Sequence, residues 1–254
     1  FGLNEVCEGD FTLSPMCRTS DAPEILLWGD SYAMHLAQGI SASNKNARLI
    51  QMTMSVCGPF LGVAPTNEKY PARWASKCIQ FNDKVIDWLR SNKSVKYVVL
   101  SSPFRTYMAD GIKVMLRNGE VVAGASVALP HFRETLRRLR ELGVTPVVVS
   151  TTPQSGEDLG RCLAKMVFLN LTPEGCSFDR AFADARQKSV LDFLREVERD
   201  AKVIWLADSI CPKGQCNAGV GNVMVYRDSG HLSREGSAFV GRQMNLYQAI
   251  ASAR

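Results

Sequence analysis

Ile25-Leu-Leu-Trp-Gly-Asp-Ser-Tyr32 is the stretch whose reading decides the fold. Ile25–Leu27 is an apolar run bounded by Pro23 and Gly29 and reads as a buried strand, with the glycine as a tight turn. Tyr32–Ser43 carries Met34, Leu36, Ala37 and Ile40 at roughly helical spacing and reads as a helix. Strand, turn and helix in that order place Ser31 at the mouth of a parallel sheet. Its hydroxyl then lies near free backbone N–H groups and the positive end of a helix dipole. That placement suits a nucleophile, because the same N–H groups can hold the oxyanion formed on attack. The other use of Asp30 and Ser31 is to cap the helix, and the choice between the two rests on the far end of the chain.

Outward from this stretch, strand and helix patterns alternate. Ala47–Met54 reads as a strand that ends in the turn-like Ser55-Val-Cys-Gly-Pro59, and Leu61–Tyr70 as a loop. Trp74–Arg90 reads as a helix and Val95–Leu100 as a β-branched strand. Tyr107–Val127 is an irregular insertion with a hairpin turn at Arg117-Asn-Gly-Glu120. A helix over Leu129–Leu142 is stopped by Gly143 and followed by a strand over Val144–Thr151. After a cysteine-flanked excursion come a long helix from Phe178 to Arg199, a strand at Val203–Ala207 and a closing helix over Ser233–Ala251. Five strands, each followed by a helix, argue for one α/β domain: a parallel sheet covered on both faces. No repeat, linker or low-complexity tract divides residues 23–254, and residues 1–22 form a loop-rich lead-in.

The chain has 254 residues, 46% hydrophobic and 22% charged, which describes an ordinary globular protein with ample core. No run approaches the ~18 uninterrupted apolar residues of a membrane span. The net charge of +5 is spread along the chain. Its densest basic cluster, Arg133, Arg137, Arg138 and Arg140, alternates with Leu136, Leu139 and Leu142 as the solvated face of a helix does, so no nucleic-acid partner is expected. The eight cysteines fall as neighbours around loops: Cys7 and Cys17, Cys57 and Cys78, Cys162 and Cys176, Cys211 and Cys216. That pattern suggests four local disulfides among about 105 possible connectivities. With no Cys-x-x-Cys pair or nearby histidine, a metal site is not expected. Disulfides imply an oxidising compartment.

Asp228-Ser-Gly-His231 is the second informative stretch, lying after the last strand and just before the final helix. Three residues around a turn allow Asp228 to hold the Nδ1 proton of His231, leaving Nε2 free to take a proton from a hydroxyl. Alone, such a pair is helix capping beside a surface histidine. At the rim of the same sheet as Ser31, it completes nucleophile, base and orienting acid.

Gly29-Asp-Ser31 after the first strand, with Asp228-x-x-His231 before the last helix, resembles the SGNH (GDSL-type) hydrolases over nearly all of residues 24–254. The fuller Trp28–His35 and Asp228–Ser233 stretches, with Cys211-Pro-x-Gly-x-Cys216, are similar to one branch. These are the extracytoplasmic SGNH domains fused behind the membrane domain of acyltransferase family 3 proteins, which O-acetylate bacterial surface polysaccharides. The resemblance implies a three-layer α/β/α, flavodoxin-like fold with disulfide-stapled loops. Ser31 becomes the acylated nucleophile, His231 the general base and Asp228 its orienting acid. The backbone N–H groups of Ser31 and Gly58 become oxyanion donors. The family's third block, an Asn after the third strand, is absent: the chain reads Leu100-Ser-Ser-Pro-Phe-Arg105, leaving Ser102 or Arg105 as stand-ins.

The resemblance further implies a periplasmic domain tethered to the inner membrane, monomeric when isolated, with a glycan acceptor such as O-antigen. It binds no cofactor itself; acetyl originates from acetyl-coenzyme A across the membrane and arrives through the fused acyltransferase domain. Residues 1–22 match the linker extension of that branch. Tyr32 and His35 are candidates for the substrate pocket, whereas Trp28 and His131 have structural roles as the alternative. Two other functions use the same residues: an acetyl esterase with water as acceptor, and a non-catalytic glycan-binding domain.

Overall fold

The computed structural model describes residues 2–253. Its central sheet consists of β1 (Ile25–Gly29), β2 (Leu49–Thr53), β3 (Tyr97–Ser101), β4 (Thr145–Val149) and β5 (Lys202–Ile204). The spatial order is β2-β1-β3-β4-β5 with every pairing parallel, the five-stranded sheet the apolar runs predict. Such strands are buried on both faces, so they read as continuous apolar runs. Along β1, Leu26 and Trp28 enter one core while Ile25 and Leu27 enter the other. Helices Ala72–Ser91, Gly124–Glu141 and Lys188–Val197 cover the first core with Ile79, Leu136 and Leu194. Helices Ala37–Ser43, Arg234–Met244 and Leu246–Ala251 cover the second with Ile40, Val240 and Ile250. The result is a three-layer α/β/α fold.

After β1 the chain turns to β2 on one side, then crosses to β3 on the other. This reversal opens a crevice at the carboxyl ends of β1 and β3, where such folds bind ligands. Gly29 lies in register with Ser101 across that crevice. A Cβ at Gly29 would sit 2.1 Å from the Ser101 carbonyl oxygen, so no other residue fits between β1 and the Ser31 turn.

All four neighbour pairs of cysteines are disulfide-bonded. The lead-in is fastened to the free edge of β2: Glu8 bridges to Thr53 and Arg18 to Ile50, on either side of the Cys7–Cys17 bond. An edge strand with unpaired backbone groups is covered in this way.

The structure corrects several element boundaries. The expected loop at Leu61–Tyr70 contains a strand, Val63–Pro65, that pairs with Lys113–Leu116, which pairs in turn with Val121–Ala123. The Asn-Gly turn therefore closes a hairpin, and the irregular insertion is part of a three-stranded antiparallel sheet. The expected helix over Phe178–Arg199 divides into Arg180–Arg186 and Lys188–Val197. Its break is at Gln187, whose amide bonds the Thr152 carbonyl at 3.0 Å and the Gln154 N–H at 3.1 Å. The closing helix is interrupted by Asn245 in the left-handed region at φ 48°. The first helix has a break at His35–Leu36. The helix expected from Leu129 begins at Gly124, with Pro130 inside it. At Gln187 and His35 side-chain partners accompany the break, which periodicity does not report because it records only which face is apolar.

Candidate active site

Ser31 opens the helical turn Ser31–Met34 that follows β1. Asp30 caps it, its carboxylate accepting the Tyr32 N–H at 2.9 Å and the Ser102 hydroxyl at 2.7 Å. Capping is thus the work of Asp30 alone, and the Ser31 side chain points elsewhere. Its Oγ lies 2.7 Å from His231 Nε2 across 200 residues of sequence. His231 Nδ1 faces both carboxylate oxygens of Asp228 at 2.9 Å. An acceptor on that side assigns the proton to Nδ1, so Nε2 presents its lone pair to the Ser31 hydroxyl.

Asp228 is itself held. It accepts the backbone N–H groups of His231 at 2.8 Å and Gly230 at 3.0 Å, and the Arg227 guanidinium at 2.9 Å. Burial pushes its carboxyl up, but those N–H groups, Arg227 and the His231 ring together bring it well below the ordinary carboxylate range. For His231 the balance is reversed. Burial takes its pKa below 6.5 and the Asp228 charge only partly restores it, so the ring is a neutral base at pH 7.

The two ends of the chain meet because two helices cross closely. Helix Ala37–Ser43 follows the Ser31 turn and helix Arg234–Met244 follows His231. A Cβ at Gly241 would lie 2.2 Å from the Gly39 carbonyl oxygen, so the backbones touch there. The Gly39 N–H also donates to Ser237 Oγ at 2.9 Å. Beside this crossing, His35 Nδ1 accepts the Leu232 N–H at 3.2 Å and ties the Ser31 turn to the residue after His231. His35 Nε2 is buried and without a partner among the described residues. Burial first, then the nearby His231 and Arg227, hold its pKa well below 6.5. Tyr32 stands between the two histidines, its ring centroid 5.1 Å from His35 and 4.7 Å from His231.

Of the other expected residues, Gly58 lies in the loop after β2. Its carbonyl accepts Asn82 Nδ2 at 3.0 Å and the Tyr107 hydroxyl at 3.3 Å. Ser102 is fully buried and gives its proton to Asp30. Arg105 is exposed, beyond Phe104, whose φ of 57° turns the chain sharply after β3. His131 Nδ1 bonds the Leu61 carbonyl at 2.7 Å, the structural alternative for that residue. Trp28 is wholly buried and donates to Asn82 Oδ1 at 2.8 Å.

Sequence reasoning missed Asn82 and Gln154. Asn82 lies on the stripe of Cys78, Ile79, Val85, Ile86 and Leu89, where a polar residue in an apolar row was its signal. It spends its whole amide on Trp28 and on the Gly58 and Phe60 carbonyls, so it fixes the loop after β2 and has no hydrogen left for substrate. Gln154, which donates to the Tyr32 hydroxyl at 2.8 Å, had no sequence signal. Among the described residues no group of three or more His, Cys, Asp or Glu side chains is arranged to hold a metal ion, and no helix is long and apolar enough to cross a membrane.

The family described as the SGNH domain fused to AT3 domains matches residues 6–245. Among solved structures, the periplasmic domain of a Salmonella Paratyphi A lipopolysaccharide acetyltransferase superposes with a TM-score of 0.70 at 19% identity, over 95% of this chain and 90% of that one. A GDSL-like lipase from Bacteroides thetaiotaomicron gives a TM-score of 0.45 at 11% identity, over 91% of this chain and 88% of its own. The C-terminal catalytic domain of a Streptococcus pneumoniae peptidoglycan O-acetyltransferase gives 0.37 at 10% identity, over 91% and 94%. No curated protein matches the chain by sequence. The first similarity carries the fold; the other two are too distant to carry more.

Proposed function

This chain belongs to the SGNH domains that are fused to AT3 domains, and from that premise we propose that it is an extracytoplasmic O-acetyltransferase. It moves an acetyl group through a Ser31 acyl-enzyme to a hydroxyl of a bacterial surface polysaccharide. The observation that carries this reading is the Ser31 Oγ–His231 Nε2 distance of 2.7 Å, with Asp228 on the far side of the ring.

In the first half-reaction, Ser31 Oγ attacks the acetyl carbonyl as His231 Nε2 takes its proton. The tetrahedral oxyanion is held by the N–H groups of Ser31 and Gly58. The Ser31 N–H opens a helix and has no intrahelical acceptor. Asn82 holds the Gly58 carbonyl and so fixes the loop that presents the Gly58 N–H. Collapse breaks the bond to the leaving group, which takes the proton from His231. In the second, a sugar hydroxyl gives its proton to His231 and attacks the acyl carbon. The Ser31–acyl bond breaks and Ser31 recovers the proton. The domain binds no cofactor of its own; acetyl derives from acetyl-coenzyme A in the cytoplasm and reaches Ser31 through the membrane acyltransferase domain. Four disulfides support placing the chemistry outside the cytoplasm.

The test uses an aryl acetate and intact-mass analysis. Ser31 should carry an acetyl group in the unsubstituted protein and none in Ser31→Ala. A folded protein that acquires no label at Ser31 overturns the catalytic reading in favour of glycan binding. Acetate release unaffected by an added glycan, with no acetylated glycan formed, assigns an esterase.

A further inference from the structure

A cleft of about 90 Å³ opens beside Gln154, lined by Pro103, Arg105, Gln154, Arg186, Gln187 and Ser189 among others. Gln154 is the shared wall: it lines the cleft and donates to Tyr32, whose ring packs on His231. No acidic side chain lines the cleft, yet two guanidinium groups do. Among the described residues, neither Arg105 nor Arg186 has a carboxylate within ion-pair distance, whereas Arg180, Arg195 and Arg199 each do.

Both arginines are placed by the fold. Phe104 adopts φ 57°, a backbone conformation that non-glycine residues rarely take. It is held there by burial against the rings of Phe60, Phe132 and Phe193, and the turn delivers Arg105 to the cleft. The Arg186 guanidinium packs flat over Gly156, where a Cβ would lie 2.7 Å from its central carbon, and over the Phe182 ring at 5.7 Å. The amides of Gln154 and Gln187 are engaged in holding the walls. The charged donors among the lining residues are those of the two arginines, whose planar forks match carboxylate and phosphate oxygens.

We propose that this cleft is an anion subsite for the acceptor, which makes the preferred acceptor a glycan bearing a carboxylate or phosphate beside the acetylated hydroxyl. The inference rests on the acyl-transfer reading of the same site. The acetyl group is uncharged, so an anion held on the far side of Gln154 from Tyr32 belongs to its exchange partner. Arg105 then acts in binding, not as the oxyanion donor that the missing third-block Asn would have supplied.

The experiment compares acceptors on the Ser31 acetyl-enzyme: a galacturonate trisaccharide, a neutral galactose trisaccharide and glucose 6-phosphate. For the acidic acceptors, Arg105→Met and Arg186→Met should each raise KM on the order of tenfold, the scale of one charge-assisted hydrogen bond, with kcat little changed. The acidic and neutral acceptors should differ in salt dependence, with only the former weakening as ionic strength rises. Preference for the galacturonate or the phosphate identifies which anion the cleft takes. A fall in kcat with every acceptor places Arg105 in the oxyanion hole and overturns the proposal, as does equal KM for acidic and neutral acceptors. Binding of the galacturonate trisaccharide to Ser31→Ala, followed by calorimetry, tests the subsite without catalysis. Binding there that Arg186→Met weakens supports the subsite even where Ser31 fails to acylate; no binding to Ser31→Ala while Ser31 acylates normally removes the subsite alone.

Discussion

Replacing Asp30 by Asn tests whether the residue beside the nucleophile is a buried acid held near neutrality. Its carboxyl is fully buried and receives one backbone N–H and one hydroxyl. Burial pushes its pKa from 3.8 to about 7, and the Tyr32 N–H and the Ser102 hydroxyl only partly oppose that. A group whose folded-state pKa is raised contributes stability that is fully present below 3.8 and lost as pH rises through about 7. Between those values the native state keeps a proton that the unfolded chain releases, so stability falls with rising pH. At about 1.4 kcal/mol per pH unit, the gap corresponds to roughly 4 kcal/mol. Asn keeps the carbonyl that accepts the Tyr32 N–H and cannot ionise. It therefore adds a pH-independent offset from its altered contact with Ser102 and removes the slope. Urea unfolding at a series of pH values from 4 to 8, with disulfides intact, reads the difference between the two proteins. The unsubstituted protein should lose several kcal/mol relative to Asp30→Asn across that range. A difference that stays flat, or one that favours the unsubstituted protein as pH rises, refutes the argument: Asp30 would then be an ordinary ionised helix cap.

Asp228→Asn should lower the acylation rate of Ser31 by roughly 10⁴, because an amide does not hold the Nδ1–H tautomer of His231; stopped-flow release of the aryl leaving group measures it. In the unsubstituted protein, acylation should fall on the acid side with an inflection below 6.5, the pH at which His231 gains a proton and ceases to accept one; an inflection above 6.5 in the pH–rate profile contradicts the burial argument. Asn82→Ala should destabilise the fold by about 3 kcal/mol, since the Trp28 indole N–H and the Phe60 carbonyl lose their Asn82 partner in the core. Urea midpoints measure this cost, and slower Ser31 labelling would report the loosened Gly58 loop.

The sequence by itself determined the class of fold and the four local cross-links. Strands buried on both faces need continuous apolar runs, and Val147–Val149 or Ile25–Leu27 have few other uses. Cysteines 5 to 21 residues apart around loops have near partners. The candidate trio of Ser31, His231 and Asp228 was legible because each member sits in a short motif beside the sheet's rim. The third-block gap at Ser101-Ser-Pro103 was legible as well, but its consequence was not. Only the tertiary structure showed Ser102 bonded to Asp30 and Arg105 turned into a side cleft. Tertiary contacts also accompany the helix break at Gln187, and Ser31 meets His231 beside the touching backbones of Gly39 and Gly241. Periodicity records which face of an element is apolar, and motifs record local chemistry. A hydrogen bond such as Gln154 to Tyr32 joins residues 122 positions apart and leaves no trace in either. Gly29-Asp-Ser31 therefore marked a candidate nucleophile in the sequence, while the cleft lined by Arg105 and Arg186 became visible only when the chain had folded.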